Sequence, residues 1–113
     1  MSEHFTRGSG NVYADLGLPN PEEHALKAGL IRQIADVIEA EGLTQAAVAI
    51  RLGIGQPDVS KMLAGHFRHF AVGRLLRFLV LLGRDVDIAV REPRRRKGSG
   101  ARLTIGGKAV ERV

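Results

Sequence analysis

The sequence predicts a mainly α fold, a bundle of about four helices followed by one short C-terminal strand. Three observations carry that prediction. Apolar residues recur at helical spacing from Leu26 to Leu82. Each periodic run is closed by a glycine, at Gly42, Gly53, Gly65 and Gly83. Only one later stretch, "DVDIAVRE", alternates with period two, through Val86, Ile88 and Val90. At 113 residues the chain is one small domain with tails.

The first helix opens at "NPEEHALKAGLIRQIADVIEAEG". Asn20 is a suitable N-cap, Pro21 fits the first helical position, and Glu22 and Glu23 complement the positive end of the helix dipole. Leu26, Leu30, Ile34, Val37 and Ile38 form one apolar stripe, with Lys27, Arg32, Gln33, Asp36 and Glu39 off it. "LTQAAVAIRLG" is a shorter second helix, capped by Thr44 and stopped by Gly53. "GQPDVSKMLAG" is the third, and "HFRHF" leads to a fourth over residues 72–82. Pro93 ends the strand. Beyond it, "RRRKGSG" reads as a flexible basic segment, and "ARLTIGGKAVERV" carries a hairpin signal around its Gly-Gly pair. The organisation is an extended or flexible N-terminal segment (1–19), a folded domain (20–91) and a basic tail (92–113).

Charge is unevenly placed. Residues 1–90 hold nine Lys/Arg and ten Asp/Glu, a net of −1; residues 91–113 hold eight and two, a net of +6. Together these give the formal +5, so the basic character belongs to the tail. Such a tail binds a polyanion such as nucleic acid, or only keeps a small protein soluble. Absence of cysteine excludes disulfides, thiolate zinc sites and a cysteine nucleophile, which suits a cytoplasmic protein. The first residues lack the apolar region of a signal peptide, and "FLVLL" is too short to cross a bilayer.

The fourth helix is too apolar for one buried face. Val72, Leu75, Leu79 and Leu82 form a stripe, while Leu76, Phe78, Val80 and Leu81 spill onto others. A lone strand is not stable by itself. Both facts point to a homodimer that pairs helix 4 and strand 86–90 across a two-fold axis, through Leu76, Val80, Leu81, Val86, Ile88 and Val90. The alternative cover is the N-terminal segment or the tail.

Residues 45–63 have helix-turn-helix spacing. Ala49 is small where two helices cross, Gly53 tolerates the positive φ of the turn, and Val59 anchors the second helix. Leu52, Ile54 and Met62 or Leu63 complete the small core, and Pro57 falls in the first turn of the third helix, where no amide partner is lost. The stretch "LTQAAVAIRLGIGQPDVSKMLAG" resembles the DNA-binding domain of lambda-repressor-like (XRE-type) regulators. Over residues 9–91 the chain is also similar to small XRE-type regulators that include HigA-like antitoxins.

That resemblance implies a lambda-repressor-like bundle binding double-stranded DNA at a pseudo-palindromic operator. It places Gln45 on the DNA backbone and Gln56 on a base edge, where glutamine pairs well with adenine. Lys61 reaches guanine or phosphate, and Ser60 meets phosphate. Asp58 accepts from a cytosine amine or merely caps the helix. Arg68, His69 and Arg51 are candidates for backbone contact. The antitoxin resemblance implies a RelE/HigB-like toxin as partner, for which segment 1–20 or an acidic surface of Glu22, Glu23, Asp36, Glu39 and Glu41 offers a contact. The alternatives are a stand-alone or phage-type XRE regulator, and an interaction module that kept the fold without DNA binding. No enzyme is expected. His66 and His69 have no further ligand to complete a metal set, no glycine loop after a strand suits a nucleotide, and no serine has a base-and-acid arrangement. No cofactor is expected.

Overall fold

The computed structural model describes residues 20–93, 103–105 and 108–109. Among these residues the fold is a mainly helical bundle: α1 (Asn20–Glu41), α2 (Gln45–Leu52), α3 (Gln56–Leu63) and α4 (Val72–Leu81), followed by β1 (Thr104–Ile105) and β2 (Lys108–Ala109). The expected N-terminal segment 1–19 and the basic run 94–102 lie outside the described residues.

The helices end where the punctuation in the sequence places them. Thr44 Oγ1 accepts a hydrogen bond from the Ala47 amide at 3.1 Å, capping α2. α1 begins at Asn20, one residue before the expected first helical position, with Glu22 and Glu23 in its first turn. α1 lies along α4 and also meets α3, while α2 packs on α3 and α4. Ile34, Val48, Val59, Met62 and Leu75, one or two from every helix, have no exposed surface and form the centre of the core. Apolar burial of this kind is the main favourable term in folding.

Two charged residues break the apolar pattern of α1. Glu23 and Lys27 were expected on its solvated face, yet both are buried, with the Lys27 ammonium 3.4 Å from Glu23 Oε2. Ile31, outside the expected stripe, is buried beside them. The reason is that α1 is covered on two flanks. α4 takes one, and the loop between α3 and α4, through Phe67 and the Arg68 carbonyl, adds a second that helical periodicity does not reveal.

Residues 84–93 form no strand within the single chain; the expectation for 86–90 placed the partner strand on a second copy. The alternation is present, but a ladder needs a partner edge, and no described segment supplies one. Strand structure occurs instead at the Gly-Gly hairpin. β1 and β2 pair antiparallel, with Thr104 opposite Ala109 and Ile105 opposite Lys108. This hairpin sits on α1 because Gly29 leaves room for it: a Cβ there would stand 2.6 Å from Ile105 Cδ1.

The surplus apolar surface of α4 is partly resolved inside the chain. Phe78 is buried, and Leu76 and Val86 are half-buried against the core. Val80, Leu81, Ile88 and Val90 remain exposed, at 51, 38, 75 and 95 % respectively. Ile50, on α2, is exposed as well.

Candidate nucleic-acid interface

The turn between α2 and α3 sets the geometry of the site. Gly53 adopts φ 72° and ψ 30°, a left-handed conformation, and its amide donates to the Ala49 carbonyl at 2.9 Å. The Ile54 amide donates to the same carbonyl at 3.1 Å, which closes the end of α2. Gly55 returns to extended backbone and becomes the N-cap of α3, accepting from the Asp58 and Val59 amides at 3.0 and 3.2 Å. Pro57 lies in the first turn of α3, where its missing N–H costs no hydrogen bond.

α3 is therefore held by one face and free on the other. Val59 and Met62 are fully buried and Leu63 is half-buried, which resolves the choice between the last two in favour of Met62 as the main anchor. Gln56, Asp58, Ser60 and Lys61 are all exposed. Asp58 stands in the first turn of α3, where a carboxylate complements the positive helix end. That placement accounts for an acidic residue on an otherwise neutral or basic face.

The remaining expected residues lie on α2 and in the loop after α3. Gln45 is the first residue of α2 and is exposed. Arg51 is not a free cation: its Nη1 lies 3.6 Å from Glu41 Oε1, while Arg84 Nη1 donates to Glu41 Oε2 at 2.9 Å. Glu41 thus ties the end of α1 to α2 and to the chain after α4. Both pairs are largely solvated and contribute little to stability. Arg68 and His69 are exposed in the loop after α3, between the buried rings of Phe67 and Phe70. Glu23, expected in an acidic surface patch, is withdrawn from it by burial, whereas Asp36, Glu39 and Glu41 are exposed.

One cation escaped the sequence reading. The Arg74 guanidinium stands 5.0 Å from the Phe70 ring centroid and 5.5 Å from that of Phe78, a cation–π arrangement that restrains an exposed arginine in the first turn of α4. The local signal was there, an arginine four residues from each of two aromatics. Only the fold shows that both rings turn to the same side chain.

Among the described residues, no group of three His, Asp or Glu side chains could hold a metal ion, and no helix is long and apolar enough to cross a membrane.

Comparison with known proteins agrees with this geometry. A family model described as a helix-turn-helix domain matches residues 12–91. A solved structure described as an XRE family transcriptional regulator is 37 % identical to the chain, with a TM-score of 0.68; the match covers 78 % of this chain and 100 % of that one. No curated protein matches.

Proposed function

The chain belongs to the XRE-type helix-turn-helix family, and on that footing we propose that it is a sequence-specific, DNA-binding transcription regulator that reads the major groove with α3. The observation that carries this reading is the division of α3. Val59 and Met62 lock it to the core, while Gln56, Ser60 and Lys61 stand outward with no competing partner among the described residues. A helix held in this way presents its N-terminal side chains to base edges. Gln56 takes an adenine edge and Lys61 a guanine or a phosphate, with Gln45, Ser60, Arg68 and His69 on the backbone. Arg51 contributes only by leaving Glu41.

The regulator acts as a homodimer. The exposed side chains of Val80, Leu81, Ile88 and Val90 supply an apolar surface that a second copy covers, and the unpaired 86–90 segment supplies a strand edge for it. Leu76 and Val86, already half-covered by their own core, contribute less than the sequence suggests. A two-fold dimer requires an operator with two half-sites separated by about one helical turn.

A narrower reading makes the chain the antitoxin of a type II toxin–antitoxin pair, neutralising a RelE/HigB-like toxin and repressing its own operon. Its support is the sequence resemblance over residues 9–91. Co-expression with the neighbouring gene product, followed by co-purification, tests it. Lack of an adjacent toxin-like gene removes the antitoxin role and leaves a stand-alone regulator.

The DNA-binding reading is tested by exposing the full chain to a random-sequence duplex library. An inverted repeat should be enriched. No enrichment over the starting library would favour an interaction module that kept the fold without the DNA role.

A further inference from the structure

Between α3 and α4 the chain crosses residues 64–71, and this loop carries Arg68 and His69. Its middle has little hydrogen bonding of its own: the Phe70 amide donates to the Phe67 carbonyl at 3.0 Å. Two contacts reach it from the first turns of α1, from residues three apart and so on one face of that helix. The His24 ring stacks on Phe67, with centroids 5.1 Å apart and planes at 28°. The Lys27 ammonium donates to the Arg68 backbone carbonyl at 3.1 Å.

Lys27 is an unusual choice for this position. Its side chain is 7 % exposed, and burying an ammonium is costly. Glu23, itself buried, neutralises it, although Glu23 Oε1 has no hydrogen-bond partner among the described residues. Leucine at this position, with an apolar residue also replacing Glu23, would fill the same space without those costs. What leucine cannot do is grip a carbonyl. The carbonyl gripped is that of Arg68, whose side chain points into solvent. The backbone of a cation is thereby fixed while its guanidinium stays free, which lowers the ordering cost of any contact it makes.

We propose that His24 and Lys27 are positioning residues for DNA binding, fixing the 66–70 loop so that Arg68 and His69 meet phosphates flanking the site read by α3. The proposal rests on the DNA-binding reading above. Glu23 serves it by pairing with the Lys27 ammonium at 3.4 Å in a buried setting. Sequence preference stays with α3; the clamp governs backbone contact.

The test uses the full chain and the duplex that the wild type enriches from a random library, with affinity measured by fluorescence anisotropy across a sodium chloride series. Each phosphate contact contributes about 0.9 to the slope of log affinity against log salt. Arg68→Ala should lower the slope by about that amount. Glu23→Gln/Lys27→Met removes the grip without leaving a lone buried charge, and His24→Ala removes the stack without touching the pair. Both should weaken binding several-fold and flatten the slope, with the preferred sequence unchanged. Adding Arg68→Ala to Glu23→Gln/Lys27→Met should change nothing further. Circular dichroism melts confirm folding, and His24→Ala decides the matter if the double variant unfolds. Wild-type slopes in the folded variants, or an Arg68→Ala effect of equal size in both backgrounds, would overturn the clamp and leave DNA binding intact. A wild type that enriches no duplex removes the DNA-binding reading, and the clamp with it.

Discussion

Gly53 is where a single residue bears most on the α2–α3 turn. Its φ of 72° turns the chain from α2 into α3, and a Cβ added there would meet nothing within 4 Å. Any cost of substitution is therefore backbone strain rather than collision, about 1–2 kcal/mol for a residue other than glycine. Gly53→Ala should lower the melting temperature by roughly 4–8 °C for each kcal/mol lost. Gly53→Asn should lose less, because asparagine tolerates the left-handed region. Equal melting of all three proteins by calorimetry would show that the turn does not depend on that conformation. At the same scale, Lys27→Met should destabilise the chain by about 3–5 kcal/mol, since it strands the Glu23 carboxylate in the interior. Glu23→Gln/Lys27→Met should recover most of that loss in urea unfolding. A double variant no more stable than Lys27→Met would mean that the ion pair is not the source of the cost.

At the scale of elements, what the sequence made legible follows from locality. Thr44, Gly53, Pro57 and the closing glycines act within one turn of themselves, so the helix ends and the α2–α3 turn could be read from the chain. The face of α3 was legible for the same reason: Val59 and Met62 are three apart, so Ser60 and Lys61 between them face away from the core. Burial of Lys27 was not legible, because it is caused by a loop forty-one residues away in sequence, and loops carry no period. Segment 84–93 has no strand partner among the described residues for a related reason. Alternation reports which side chains share a face, whereas a strand also needs an edge to pair with, and that edge is not local. The Gly-Gly hairpin supplies its own partner and forms.

For the whole molecule, two features remain to be assigned: the exposed apolar residues around the end of α4 and the basic charge after Pro93. Val80, Leu81, Ile88 and Val90 lie close in sequence at the end of α4 and just beyond it, and all are exposed. If they form the dimer surface, light scattering should give twice the 12.2 kDa chain mass for the wild type. Leu81→Asp/Ile88→Asp should return the chain mass, since a buried carboxylate without a partner is not tolerated at an interface. A wild type already at the chain mass would place DNA recognition in a monomer. The tail raises a separate expectation. Replacing Arg94, Arg95, Arg96 and Lys97 with glutamine removes four of the charges that make the protein basic, while leaving the hairpin residues untouched. If the tail meets phosphates, the salt dependence of DNA binding should become shallower, by up to about 0.9 for each phosphate no longer neutralised. An unchanged slope would leave the tail as a solubilising segment.

The central claim is that the outward face of α3 reads base edges, and the most direct measurement is a comparison of duplex profiles. Wild-type chain, Gln56→Ala and Lys61→Ala would each be used to select from one random library. Both positions are exposed, so both variants should fold as the wild type does. Each should lose about 1–3 kcal/mol of discrimination at the base pair its side chain reads, with the rest of the preferred site retained. Profiles identical to the wild type for both variants would contradict the account.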